Sequence, residues 1–227
     1  MQPDMFSGSD MFATGITARD YWTMVEGAWR TILMTLTAGV LATGVGFVFG
    51  FLKLVPNRAA LVVVDTVVDA LRCVPLLVQV TLIYSAFAIS GNAISAFSAG
   101  TLALGFYAGG YISEVVREAI LAVPRPLRRA ARGLGMTAPQ EYLFVVLPLG
   151  IRQGFPSWLG IILGIIKDTS VVAVIGYVEL LKATQIIIAR TQDPLPLLTL
   201  AACFYFVICF PLSMVGRHLE RMLQKRS

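Results

Sequence analysis

Charge is what this sequence has least of. Asp, Glu, Lys and Arg make up 14% of its 227 residues, against about 25% in a soluble domain, and none of the four occurs between Arg72 and Glu114. The stretches Thr31 to Leu52 and Pro194 to Gly216 are also uncharged. Each reaches the roughly 20 residues that a bilayer-crossing helix needs, which excludes a soluble enzyme and a nucleic-acid module. Cysteine is scarce: Cys73, Cys203 and Cys209 lie in or beside apolar segments without CxxC spacing, so neither a disulfide framework nor a metal site is indicated, and packing is their expected role. The only histidine, His218, sits among charges past the last apolar stretch, which gives no reason for a catalytic or metal-binding role. Phosphate-cradling loops and hydrolase elbows are absent from the sequence, so nothing in it points to nucleotide hydrolysis or hydrolase chemistry on this chain. Asp4 and Asp10 precede the first apolar stretch, a pattern unlike a cleaved signal peptide.

What remains is apolar, with 57% hydrophobic residues and a mean hydropathy of +0.78. A first span fits Thr31 to Leu52, where Gly39, Gly44, Gly46 and Gly50 would let neighbouring helices approach. Residues 59–71 alternate apolar positions with Asp65 and Asp69. They form either an amphipathic lead-in or the first part of a long second span running through Pro75 to about Ser90. Gly91 and Asn92 mark a turn, and a third span from about Ala96 to Tyr111 continues as a polar helix through Glu114, Arg117 and Glu118. A fourth apolar segment, Gln153 to Val178, is interrupted only by Lys167 and Asp168, and a fifth covers Pro194 to Gly216. The expected fold is an all-α integral membrane protein of about five transmembrane helices. It is expected to form one transmembrane domain over residues 1–227, with an external N-terminal segment at about 1–28.

Basic residues orient such a bundle. Thirteen of them, Lys53, Arg58, Arg72, Arg117, Arg125, Arg128, Arg129, Arg132, Arg152, Arg217, Arg221, Lys225 and Arg226, collect on one face, and four, Arg19, Arg30, Lys182 and Arg190, on the other. The richer face is expected to be cytoplasmic, with the N-terminus outside and the C-terminus inside. On that face, residues 124–152 form a connection longer than a link requires. Pro126 can start a short helix that carries apolar and basic residues to Arg132, and Gly133 and Gly135 break it. Thr137 and Gln140 then form a capping-box pattern ahead of Tyr142 to Leu147. The connection reads as helix, glycine turn, helix. A basic loop pinned to anionic headgroups is the plainer alternative.

Arg129-Ala130-Ala131, three residues to Gly135, nine more to Val145, and Leu147-Pro148 resemble the EAA coupling loop of ABC importer permeases. Arg129 stands where an acidic residue is usual in that loop, and Val145 where isoleucine is usual. Arg72-Cys73-Val74-Pro75-Leu76-Leu77-Val78-Gln79 is similar to the R-G-T-P-L-L-V-Q run of polar amino-acid permeases. Tyr111 to Arg117 with Val123-Pro124 resembles their lead-in, and Lys167-Asp168-Thr169-Ser170 their K-D-T-S segment. The resemblance spans about Trp29 to Glu179. It implies the transmembrane subunit of an ATP-driven importer in a bacterial cell (inner) membrane, moving a polar amino acid or close derivative by alternating access. Another small polar solute, such as an opine or a compatible solute, is the alternative. The implied partners are an ABC ATPase dimer, an identical or sister permease, and a periplasmic or surface solute-binding protein, with lipid around and no nucleic acid. No cofactor is expected on this chain, ATP and Mg belonging to the ATPase. Contact with the ATPase would fall to Pro124, Arg128, Arg129, Ala130, Ala131, Gly135, Leu147 and Pro148.

Inside the membrane, Lys167 and Asp168 each cost at least about 2.5 kcal/mol if unpaired, so protein, water or substrate must face them. The expected substrate pathway comprises Gln79, Lys167, Asp168, Thr169 and Ser170, although hydrogen bonding between spans would explain the polar members equally. Asp65, Asp69 and Arg72 share a helical face and are expected to form an internal charge network; Glu114 and Arg117 read as a surface pair or a gate contact. An ion-gradient transporter, the competing class, would show several intramembrane carboxylates and paired inverted repeats of broken helices.

Overall fold

The computed structural model describes residues 15–224. All regular structure among them is helical: α1 (Ala18–Leu52), α2 (Arg58–Cys73), α3 (Leu76–Ile89), α4 (Ala96–Leu121), α5 (Arg125–Gly133), α6 (Ala138–Glu141), α7 (Leu147–Asp168), α8 (Leu180–Thr191) and α9 (Pro194–Gln224). A π-type turn, Tyr142–Val146, joins α6 to α7, and a 3-10 segment, Thr169–Ile175, extends α7. Three stretches, Ala18–Leu52, Ala138–Ile175 and Pro194–Met222, are long and apolar enough to cross a membrane, and Leu76–Ile89 is a shorter apolar helix.

The central helix is α4, on which α1, α2, α3 and α7 all pack. Its tightest partner is α1, and the contact follows from small residues at four-residue spacing. A Cβ added at Gly46 would lie 2.5 Å from Ile112 Cβ, and one at Gly50 2.6 Å from Val116 Cβ. In return, Leu41 Cδ2 would meet a Cβ at Gly105 at 2.5 Å, and Val45 Cγ1 one at Gly109 at 2.7 Å. Each helix thus seats two side chains of the other in its own glycine pair. Because lipid is as apolar as leucine, such close packing, rather than hydrophobic exclusion, is what holds spans together. Of the four α1 glycines expected to admit a neighbour, Gly46 and Gly50 do so tightly, a Cβ added at Gly39 would lie 3.4 Å from Ile162 Cδ1, and one at Gly44 would meet nothing within 4 Å.

The first helix begins at Ala18, ahead of the expected Thr31. Thr17 and Asp20 form a capping box there, and Arg190 of α8 binds Asp20 at 2.5 Å. Of the expected external segment, residues 1–14 lie outside the described residues, whereas 18–28 are helical. Of the two readings of residues 59–90, a long second span and an amphipathic lead-in ahead of a shorter one, the structure has the second: α2 and α3 are separate helices. Pro75 has no N–H to donate and holds Val74 extended, at φ −75 and ψ 127. The amide of Gln79 then donates to the carbonyls of Leu71 at 2.7 Å and Val74 at 2.8 Å, satisfying the open end of α2 from the first turn of α3.

The charge network expected within α2 is instead shared between helices. Lys53, at the C-cap of α1 with its side chain 1% exposed, binds Asp65 of α2 at 3.0 Å and Glu114 of α4 at 2.6 Å. Arg72 of α2 also reaches Glu114, at 3.1 Å, and lies over the Tyr111 ring. Asp69 is left exposed. The ammonium at a helix C-terminus faces the negative end of the helix dipole, a second reason for a buried lysine there.

Candidate functional site

Two regions carry the polar chemistry. The first is the connection between α4 and α7. Pro124 stands at the N-cap of α5 and Pro126 at its second residue, where the lost N–H costs nothing. Gly135 has φ 85, a conformation that side chains other than glycine's resist. Thr137 and Gln140 close the capping box of α6. Ala131 is buried under α5, Ala130 and Arg129 are exposed, Leu147 is half-buried and Pro148 exposed at the head of α7. The geometry of the loop is therefore set by prolines, a glycine and a cap, all readable in the sequence.

Its hub is a residue the sequence reading passed over. Glu141 is fully buried and takes Arg128 Nε at 2.6 Å and Arg132 Nε at a still shorter separation. Arg128 also lies over the Tyr142 ring, with 5.1 Å from Cζ to the centroid. The Glu141 carboxylate raises the Arg128 guanidinium above its ordinary range. The available signal was that Glu141 is the only acidic residue between Glu118 and Asp168, amid a cluster of arginines that needed compensation. Arg125, Arg128, Arg129, Arg132 and Glu141 together enclose a recess of about 180 Å3.

The second region is the end of α7. Lys167 and Asp168 stand where α7 tightens into its 3-10 tail, which Gly176 ends at φ 87. Lys167 is exposed and Asp168 half-buried, and Tyr107 of α4 stands within electrostatic reach of Asp168. The Thr169 hydroxyl is buried and donates to the Ile166 carbonyl at 2.8 Å; that of Ser170 donates to the Lys167 carbonyl at 2.7 Å. Gln79 does not join them by hydrogen bonds, since its amide is spent on the α2 carbonyls. Of the five expected pathway residues, Gln79, Thr169 and Ser170 bond to nearby backbone, while Lys167 and Asp168 interact electrostatically with each other. Just beyond, the buried Glu179 caps α8 through the amides of Leu181 at 2.9 Å and Lys182 at 2.7 Å, and accepts the Tyr205 hydroxyl at 3.0 Å.

A cavity of about 280 Å3 lies elsewhere, between α1, α4 and α7, walled by Phe47, Phe51, Val116, Phe155 and Trp158. It offers almost no polar surface, so burying a zwitterion there would leave both charges unpaired.

Comparison with known proteins follows the same outline. A glutamine transport system permease protein of Escherichia coli strain K12 is 33% identical over 207 residues, covering 88% of this chain and 93% of the relative. An L-cystine transport system permease protein of Bacillus subtilis strain 168 is 29% identical over 212 residues, covering 92% and 91%. The crystal structure of an amino acid ABC transporter with histidines superposes with a TM-score of 0.82 at 28% identity, covering 88% of this chain and 94% of that one. An inward-facing MetNI methionine ABC transporter shares the fold, with a TM-score of 0.77 at 19% identity over 92% of this chain and 99% of that one. Residues 42–225 match the family described as binding-protein-dependent transport system inner membrane component. The chain belongs to that family and is a multi-pass permease subunit of the inner membrane.

Proposed function

We propose that this chain is the membrane-spanning half of an ATP-driven importer for a polar amino acid or a close derivative, with ATP and Mg bound and hydrolysed on separate ATPase subunits. The observation that carries the reading is the 124–148 connection: a short helix, a left-handed Gly135 and a capped second helix running directly into α7. A push on α5 would be transmitted through α6 into α7, whose far end carries Lys167 and Asp168. Relatives named for glutamine and L-cystine transport, and the transporter crystallised with histidines, support an amino acid as cargo. An adjacent ammonium and carboxylate suit the two charges of a zwitterion. The remaining parts are a second permease, identical or sister, a solute-binding protein outside, an external N-terminus and a cytoplasmic C-terminus. The thirteen-to-four division of basic residues supports that orientation.

The test is Gly135→Leu. A side chain at φ 85 is strained whatever space surrounds it, so the variant should insert normally yet lose ATP-coupled uptake. Normal uptake by a correctly inserted Gly135→Leu chain, or uptake surviving removal of the ATPase, would overturn the reading.

A further inference from the structure

The arginines of α5 occupy positions 125, 128, 129 and 132, a spacing that gathers them on one helical face. Glu141 forms the floor beneath, paired to Arg128 and Arg132. Four positive charges against one negative leave the recess at +3. Arg125 and Arg129 are exposed, and with Glu141 the only acidic residue between Glu118 and Asp168, the loop has no second carboxylate of its own to offer them. The helix packs chiefly on α6 and the π-type turn. The result is a shallow, open cationic socket in which Glu141 braces Arg128 and Arg132 from below.

We propose that this socket receives an acidic side chain of the ATPase subunit, so that the permease selects its ATPase by a carboxylate on the docking surface. The proposal rests on the docking reading above and adds its polarity. Charge complementarity and the docking reading together select the occupant: guanidinium forks bind a planar carboxylate two bonds at a time, and a recess at +3 on the docking loop calls for an anionic partner surface. A lipid phosphodiester also carries one negative charge and suits the same forks, so binding to headgroups is the other outcome of the test.

The test uses the full chain purified with its ATPase, in detergent and in vesicles. Arg129→Glu alone, and with Arg125→Glu, should lower the recovered ATPase about tenfold or more, because like charges then face each other across the contact. Arg129→Lys should retain most of it. Lysine substitution of one acidic residue on the ATPase docking surface should restore assembly with Arg129→Glu and weaken it with the parent. Parent coupling should be equal in vesicles of phosphatidylcholine alone and of phosphatidylcholine with phosphatidylglycerol. Undiminished recovery by the Arg125→Glu/Arg129→Glu chain would overturn the proposal, as would a loss that no charge exchange reverses. Coupling found only with phosphatidylglycerol would assign the socket to headgroups and overturn it too. If Gly135→Leu uncouples transport while Arg129→Glu assembles normally, only the polarity fails; if neither has an effect, the docking reading fails with it.

Discussion

Substituting Gly46 by alanine tests whether the α1–α4 contact carries the bundle. The added Cβ would sit 2.5 Å from Ile112 Cβ, where carbon atoms prefer about 3.5–4.0 Å. Relief requires either that Ile112 leave its place or that the helices part by about 1 Å. Parting them would also unseat Val116 from Gly50, and Leu41 and Val45 from Gly105 and Gly109. Overpacking of this kind costs about 1–3 kcal/mol, a drop in thermal midpoint of about 2–12 °C for a chain of this size. Thermal unfolding in detergent, followed by tryptophan fluorescence, measures it. The mechanism also makes a statement about coupling: Ile112→Gly destabilises on its own by leaving a cavity and loosening the helix, but with the Cβ at 112 gone Gly46→Ala should cost much less in that background than in the parent. An unchanged midpoint for Gly46→Ala, or an equal penalty with and without Ile112, would refute the reasoning.

Other outcomes follow from particular contacts. Gln79→Leu leaves the Leu71 and Val74 carbonyls without the amide that joins α2 to α3; it should destabilise the protein by about 1–3 kcal/mol, measured by the same unfolding assay. Glu141→Gln frees Arg128 and Arg132 from their brace, so limited trypsin digestion should cut the 125–132 region faster than in the parent while the spans stay intact. Asp168→Asn keeps the size of a half-exposed group and removes its charge; uptake should fall or change in selectivity, with ATPase assembly unaffected. Parent-like uptake, together with a cysteine at 168 that water-soluble thiol reagents never reach, would assign Asp168 a structural role.

The apolar helices were legible because hydrocarbon tolerates so little charge: α3 and the first part of α4 fall in the uncharged stretch between Arg72 and Glu114, and most of α9 in that from Pro194 to Gly216. The conformation of the 124–148 connection was legible for a different reason, since Pro126, Gly135 and the Thr137–Gln140 cap act locally and need no knowledge of neighbours. The extension of α1 back to Ala18 was hidden by Arg19, Asp20, Glu26 and Arg30, charges that read as the end of a span and instead bond along the helix and to α8. The sequence reading passed over α8 entirely, because it is short and capped by a glutamate rather than by Ser, Thr, Asp or Asn. Partner choice was the least legible feature. Helical spacing can bring Asp65, Asp69 and Arg72 to one face, but whether they bind one another or Lys53 and Glu114 depends on where α1 and α4 arrive. The same holds for Gln79 and Glu141, whose partners are supplied by chain reversal at Pro75 and Gly135.

The central claim is that this chain moves solute only when an ATPase drives it through the 124–148 loop. Vesicles reconstituted with the chain, with or without its ATPase and solute-binding protein, and supplied with ATP or with proton and sodium gradients, test this directly through uptake of radiolabelled glutamine, cystine and histidine. The account predicts accumulation of at least one of these amino acids only when ATPase, binding protein and ATP are all present, and none from the gradients alone. Accumulation driven by a gradient in vesicles lacking the ATPase would contradict it.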